Sequence, residues 1–396
     1  MKLLTVYANL GKNIYLISLV KFIRYMGFFV LPYLSLYITK ELGFEIGIAS
    51  LFATISAVLA IGFSFFGSKL CSSIQPKVIA SAAFVMTAIF FILAILSSQK
   101  HIEVGFILLG VGISNMALPA LDANIVLFSK KEKRTNSFSM VYLFQNMGFA
   151  IASLLMGYLF MNNPTNLFFG EITVCIISAI LIYKYLDPMV EARESLKKKQ
   201  SFSAILWNVK KFDKKVVFLI VALNNIAYGQ IAFTLPLYLE KIGMNAPLTY
   251  GHIMAINAIG VIILSPLVTT FFSTKNFRMA LMIAEMAFVF GYMGYALSGN
   301  NAIAFYICTI MWTVGEITVS ISALAYLTQD LPMHGIGYVS SIFLASQKIG
   351  AIISPILGMF FLRFININYV WIIVAGIVLL GLVMLLGSTG ISKKNI

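Results

Sequence analysis

The chain has 396 residues, 60% of them hydrophobic and 11% charged, and 28 Lys and Arg against 14 Asp and Glu give a formal net charge of +14. A water-soluble domain of this size carries about a quarter of its residues as charges. The composition excludes that class and leaves a polytopic membrane protein, and a nucleic-acid reading of the positive charge finds no soluble domain to carry it.

Read with a window of about 20 residues, the length that crosses a hydrocarbon core, the apolar runs fall near 13–38, 46–68, 78–97, 104–128, 138–160, 167–186, 216–239, 248–272, 279–298, 302–327, 337–362 and 369–388. They predict an all-α membrane protein with twelve spans. The runs mix Leu, Ile, Phe, Ala and Gly without the alternation of a membrane β-barrel, so helices satisfy the backbone. Pro32, Pro236 and Pro355 fall inside runs, which membrane helices tolerate. Lys2 and Lys12 lead into a first run too long for a signal-peptide core, and no small-residue cleavage site follows, so no cleavable signal is expected.

With both termini placed inside, the inner segments hold clusters such as Lys130, Lys131, Lys133 and Arg134, or Lys197, Lys198 and Lys199. The outer loops hold only Lys40, Lys100, Lys241 and Arg363. A bias of about five to one places both termini in the cytoplasm, the chain being multi-pass in the cytoplasmic (inner) membrane. The basic face then meets anionic lipid.

The longest loop, 187–215, separates two six-helix bundles, 1–186 and 216–396. Its Ser201-Phe202-Ser203-Ala204-Ile205-Leu206-Trp207 stretch, followed by Lys210, Lys211, Lys214 and Lys215, reads as an interfacial amphipathic helix or as a basic solvated linker. The two bundles echo each other. Gln145-Asn146-Met147-Gly148 recurs as Gln347-Lys348-Ile349-Gly350, and Val111-Gly112 as Val314-Gly315. The stretch from Leu36 to Gly43 recurs from Leu237 to Gly243. Three echoes at nearly one spacing argue for a duplicated unit.

Lys21, Arg24, Asp122, Glu285, Glu316 and Lys348 lie inside apolar runs. A charge left in lipid there costs about 2.5 to 3.5 kcal/mol on insertion scales. Arg24, Glu316 and Lys348 fall mid-run, roughly 15 Å from water along a helix, too deep to snorkel. Asp122 and Glu285 sit nearer the inner ends of their runs. Glu316 is expected to carry a proton or to form a static ion pair with Lys348. Arg24 and Asp122 are expected to form a similar pair in the first half, functional or clamping. Lys21 and Glu285 are read as structural or interfacial, and Glu171, near the outer end of its run, as interfacial.

Uncharged groups extend the set. Tyr37, Asn115, Tyr142, Gln145, Asn146, Asn225, Tyr228, Gln230, Asn257, Trp312 and Gln347 are candidates for lining a substrate cavity, with helix-to-helix bonding as the alternative. Cys71, Cys175 and Cys308 show no metal or disulfide spacing, and His101, His252 and His334 are dispersed. No phosphate-binding Gly-Lys-Ser/Thr loop is present, so an ion gradient is expected to supply the energy and no cofactor is called for.

Twelve runs, a six-plus-six repeat and a basic central loop resemble the major facilitator superfamily over the whole chain. That resemblance implies two pseudo-symmetric six-helix bundles, with spans one, four, seven and ten, together with two, five, eight and eleven, lining a central cavity and span nine peripheral. The family's loop after span two resembles Gly67-Ser68-Lys69-Leu70-Cys71-Ser72-Ser73-Ile74-Gln75-Pro76-Lys77. Gly67 and Lys77 fit a cytoplasmic gate, whereas Cys71 replaces an Asp and Ile74 a second Gly. Met311-Trp312-Thr313-Val314-Gly315-Glu316-Ile317 is similar to the Gly-Glu-Ile segment in which proton-driven multidrug exporters place a titrating carboxylate. Gly350 to Gly358, with Ser354-Pro355, resembles an antiporter signature that normally belongs to span five. The expectation is a proton-coupled antiporter, not an enzyme, that exports lipophilic or amphiphilic small molecules by alternating access, as a monomer among membrane lipids. In it Glu316 and Asp122 couple protons and Arg24 and Lys348 serve as charge partners. Proton symport of a sugar, peptide or other metabolite is the alternative, and a lipid or glycolipid flippase a third.

Overall fold

The computed structural model describes residue 7 and residues 9–71, 73–130, 133–188, 212–272, 277–328 and 333–388. Among them there is no strand, and twelve helices are long and apolar enough to cross a membrane. The spans are Lys12–Glu41, Ile46–Leu70, Pro76–Leu96, Lys100–Phe128, Asn136–Asn162 and Asn166–Tyr185. After them come Lys215–Lys241, Ala246–Val268, Phe277–Leu297, Ala302–Ser320, Ser346–Phe364 and Ile367–Gly387. The chain divides into two compact units, Met1–Lys198 and Lys199–Ile396. The segment read as an amphipathic helix, 201–207 with Lys210 and Lys211, lies outside the described residues.

Each unit is packed by the same plan. In the first, span one packs on five and six, span three on four and six, and span two on four; in the second, seven packs on eleven and twelve, nine on ten and twelve, and eight on ten. Two of the three sequence echoes have a matching physical role. A Cβ on Gly148 would lie 2.3 Å from the Phe22 carbonyl oxygen, and one on Gly350 would lie 2.4 Å from the Asn225 carbonyl carbon. Both glycines let the fifth helix of a bundle touch the backbone of its first, the small-residue contact that packs helices where no hydrophobic drive exists between them. Gly43 and Gly243 take φ of 71° and 77° after spans one and seven, a left-handed conformation that glycine adopts without a Cβ penalty. The Tyr37 ring meets Phe168 edge-on at 5.0 Å and Tyr238 meets Trp371 at 5.7 Å, the same span-one-to-six contact in each bundle. The third echo has no common role. Gly112 makes room for Leu59 and Phe63 of span two, whereas Gly315 makes room for Ala284 and Phe288 of span nine.

The seam of span eleven continues past Gly350. The Ser354 hydroxyl donates to the Ile226 carbonyl at 3.1 Å and to the carbonyl of Gly350, and the Gln230 amide donates to the Ser354 carbonyl at 3.1 Å. Gly358 approaches Thr234 and Gln230. Small residues every fourth position thus form one face against span seven. The segment that resembles an antiporter signature is a helix-packing seam inside the second unit.

Spans one and four are broken helices. Span one stops at Met26 and resumes at Val30; span four stops at Ser114 and resumes at Ala117. Pro32 and Pro119 explain both, since a proline ring clashes with the carbonyl four residues back, here at Phe28 and Asn115. Gly67 of span two sits against the second break, where a Cβ would come 2.6 Å from the Met116 carbonyl oxygen.

Span six fills the first break. Glu171 places Oε1 2.7 Å from the Arg24 guanidinium and accepts the Val30 backbone N–H on Oε2 at 2.9 Å. Both side chains are buried, and the guanidinium lies 5.6 Å and 5.8 Å from the Phe28 and Phe84 ring centres. The expected pairing of Arg24 with Asp122 is therefore corrected, and so is the interfacial reading of Glu171. Asp122 instead meets the Lys21 ammonium at 3.4 Å, with its own side chain half in the open. Lys21 is a turn earlier than Arg24 along span one and reaches the level of Asp122; Arg24 reaches the level of the break.

At the end of span six the Asp187 carboxylate accepts from Lys12 at 3.0 Å and from the Asn13 amide at 3.1 Å, and Lys77 donates to the Leu186 carbonyl at 3.0 Å. The Lys12 hydrogen bond first, then Asn13, holds the exposed Asp187 carboxyl below the usual carboxylate range. This contribution is present above that range and fades as acid protonates the group. Lys77, expected in a gate, joins spans three and six within the first bundle.

Gly148→Ala and Gly350→Ala should each lower the thermal midpoint in detergent, by about 1 to 3 kcal/mol of stability. Gly376→Ala, where an added Cβ meets nothing within 4 Å, should be neutral or gain about 0.5 to 1 kcal/mol. Equal effects at the three positions would refute the close-approach account. Arg24→Met or Glu171→Met alone strands a buried charge and should cost about 3 to 5 kcal/mol. In chemical unfolding the double variant should lose less than the sum of the two, and strict additivity would show that the pair is not coupled.

Candidate functional site

The second bundle assembles its polar residues around Glu316, near the middle of the helix Ala302–Thr328 that contains span ten. The Asn257 amide of span eight donates to Glu316 Oε2 at 2.8 Å and to the Thr313 hydroxyl at 3.1 Å. The Tyr228 hydroxyl of span seven donates to the same carboxylate. The Tyr228 ring packs edge-on against Trp312 at 5.8 Å, one helical turn before Glu316. The buried Trp312 indole donates to the Tyr295 hydroxyl at 2.8 Å, which is itself 2.7 Å from the Thr309 hydroxyl. Three helices thus hold one half-buried carboxyl, with neutral groups only among the described residues.

Lys348 does not join it. Among the described residues no ion pair links Lys348 to Glu316, and Lys348 is exposed. The geometry of span eleven gives the reason. At about 100° per residue, Lys348 lies roughly 200° around the helix from Gly350, on the face opposite the seam that packs on span seven. The static-pair reading of these two residues is corrected.

The remaining candidates separate by what engages them. Asn257, Tyr228 and Trp312 belong to the Glu316 network. Gln230 is buried and bonded to the Ser354 carbonyl, with the Thr234 hydroxyl donating to its oxygen. Tyr37 is buried, its hydroxyl donating to Glu103 of span four. Both are helix-to-helix contacts within a bundle. Asn115, Asn146 and Asn225 turn their amides back on the carbonyls four residues earlier, Val111, Tyr142 and Val221, at 2.8 to 2.9 Å. Tyr142 is exposed, and Gln145 and Gln347 are half-buried.

Two acids carry more than the sequence shows. Glu171 is the Arg24 partner, and its signal was available only as an acid a third of the way into a span. Glu285 of span nine is fully buried, with the Asn224 amide donating to its Oε1 at 2.6 Å. Its nearness to the end of an apolar run suggested access to water, which its burial denies. No cluster of three or more His, Cys, Asp or Glu that could hold a metal ion occurs among the described residues. The arrangement can bind and release protons on carboxyls and can hydrogen-bond a small molecule.

The sequence matches the model of the Major Facilitator Superfamily over residues 17–353. An uncharacterized MFS-type transporter of Escherichia coli (strain K12), YdeE, is 21% identical over 368 residues, covering 90% of this chain and 90% of its own. Among solved structures, the nucleoside transporter NupG superposes with a TM-score of 0.76 at 16% identity, over 95% of this chain and 99% of that one. A POT family transporter in complex with a thioalcohol-conjugated peptide gives 0.74 at 12% identity, over 96% of each. These likenesses show a shared fold. The chain belongs to the Major Facilitator Superfamily and is a secondary transporter of that type, a multi-pass membrane protein that moves a small molecule.

Proposed function

We propose that this chain is a proton-coupled antiporter of the cytoplasmic membrane, both termini inside, exporting lipophilic or amphiphilic compounds as its two bundles rock in alternating access. The observation that carries the reading is the Glu316 carboxyl of span ten, held by Asn257 and Tyr228 with no cation paired to it among the described residues. An ionised carboxylate is costly in a dry site, and a proton or an influx of water relieves that cost. Glu316 takes a proton when the site opens to the acidic side and gives it up when it opens to the other. Asn257 and Tyr228 hold the carboxyl in place through both states. The aromatic and amide groups around it, Tyr228 and Trp312 above all, offer an apolar wall with few fixed polar contacts, which suits a range of amphiphilic ligands.

Asp122, half open and opposite Lys21, is the second proton-coupling candidate. Lys348, exposed and without an ion pair among the described residues, is available to an anionic substrate group. That feature favours a second reading, proton symport of an acidic metabolite. It agrees with a fold shared with a nucleoside transporter and with a POT family transporter in complex with a thioalcohol-conjugated peptide.

Transport into inverted membrane vesicles separates the readings. With an imposed pH gradient, ethidium should accumulate in vesicles holding the wild-type protein. Glu316→Gln should abolish gradient-driven accumulation by at least tenfold while ethidium binding to the purified protein persists. Undiminished coupled accumulation by Glu316→Gln would remove Glu316 as carrier. Uptake of an acidic peptide in right-side-out vesicles, lost in Lys348→Ala, would favour symport.

A further inference from the structure

The second bundle holds another acid, and nothing in the Glu316 reading uses it. Glu285 is 0% exposed. Its Oε1 accepts from the Asn224 amide at 2.6 Å, whereas its Oε2 and the Asn224 Oδ1 are both buried without a hydrogen-bond partner among the described residues. Each of the two bonded side chains thus keeps one buried acceptor that lacks a donor among the described residues. The counterpart junction of the first bundle, spans one, three and six, contains the Arg24–Glu171 pair over Phe84. Glu285 follows Phe84 at the spacing that separates Leu36 from Leu237. A guanidinium supplies the positive charge in one bundle, and among the described residues no cation pairs with the acid in the other.

We propose that Glu285 and Asn224 form a second proton-holding site, buried at the junction of spans seven, nine and twelve and separate from Glu316. One proton supplies the missing donor. Amide nitrogen and oxygen exchange places by rotation of the Asn224 side chain, and a separation of 2.6 Å is short for N–H···O but ordinary for O–H···O. The protonated carboxyl then donates to the Asn224 oxygen. Gly381 of span twelve lies against the free oxygen, where an added Cβ would stand 3.2 Å from Oε2.

The charged and titratable surroundings agree. Among the described residues no ion pair reaches Glu285 from spans seven, ten or twelve. Arg278, on its own helix, donates to the Leu385 and Leu386 carbonyls, and Lys215 at the start of span seven is exposed. Tyr292, two turns along span nine, has a buried hydroxyl without a hydrogen-bond partner among the described residues, and it lies within electrostatic range of both Glu285 and Glu316.

The test uses infrared spectroscopy of the full-length protein carrying Glu316→Gln, which leaves Glu285 as the buried acid of interest in this bundle. A C=O stretch of a protonated carboxyl should be present at neutral pH, vanish on adding Glu285→Gln, and shift in frequency on adding Asn224→Leu. Should the Glu285→Gln addition fail to fold, the Asn224→Leu shift alone decides. No such band, or a band untouched by either substitution, would overturn the site. Thermal stabilisation by sodium chloride over potassium chloride that Glu285→Gln removes would also overturn it, assigning the two acceptors to a metal cation. None of these readouts depends on transport, so the export reading can fail while this one stands.

Discussion

Lipid supplies no hydrogen-bond partner, so a polar or charged group within a span is costly unless protein or water answers it. This constraint orders the molecule. In the first bundle the answer is ionic, with Glu171 joining the Arg24 guanidinium to the free Val30 N–H exposed by the Pro32 break. One carboxylate engages a buried cation and a broken helix together. In the second bundle the answers are neutral. Asn257 and Tyr228 hold Glu316, and Asn224 holds Glu285, with no cation paired to either among the described residues.

The two bundles share one scaffold and differ in their electrostatics. Equivalent glycines at 148 and 350 admit equivalent helix contacts, and Tyr37 and Tyr238 pack on equivalent aromatic rings. An ion pair is a fixed internal link, because separating it strands two charges. A carboxyl held only by amides and hydroxyls can gain and lose a proton without dismantling the packing around it. Duplication thus supplied one frame twice, with the buried acid Glu171 paired to a cation in one copy and the acids Glu285 and Glu316 held by neutral groups in the other, among the described residues.

The fold was legible because its determinants are local. Twenty-residue apolar runs act where they stand, and the Gly148/Gly350 and Gly43/Gly243 echoes have direct structural counterparts; the breaks at Pro32 and Pro119 were not anticipated, since Pro236 and Pro355 lie inside unbroken helices. Pairings were less legible, because they depend on which faces meet. Lys21 and Arg24 are one turn apart, and only the three-dimensional level of Asp122 and Glu171 decides which acid each meets. Lys348 is near Glu316 in the order of the helices yet lies on the wrong face of span eleven. Position along a run also misled. Glu285 and Glu171 looked close to water by residue count, but neighbouring helices bury both.

Proton exchange at Glu316 is the central claim, and the purified protein can report it without a membrane gradient. Ethidium added to wild-type protein in weakly buffered detergent, with a pH indicator present, should displace protons in proportion to dye bound. The Glu316→Gln protein should bind the dye and release none. Equal proton release by the two proteins would contradict the account.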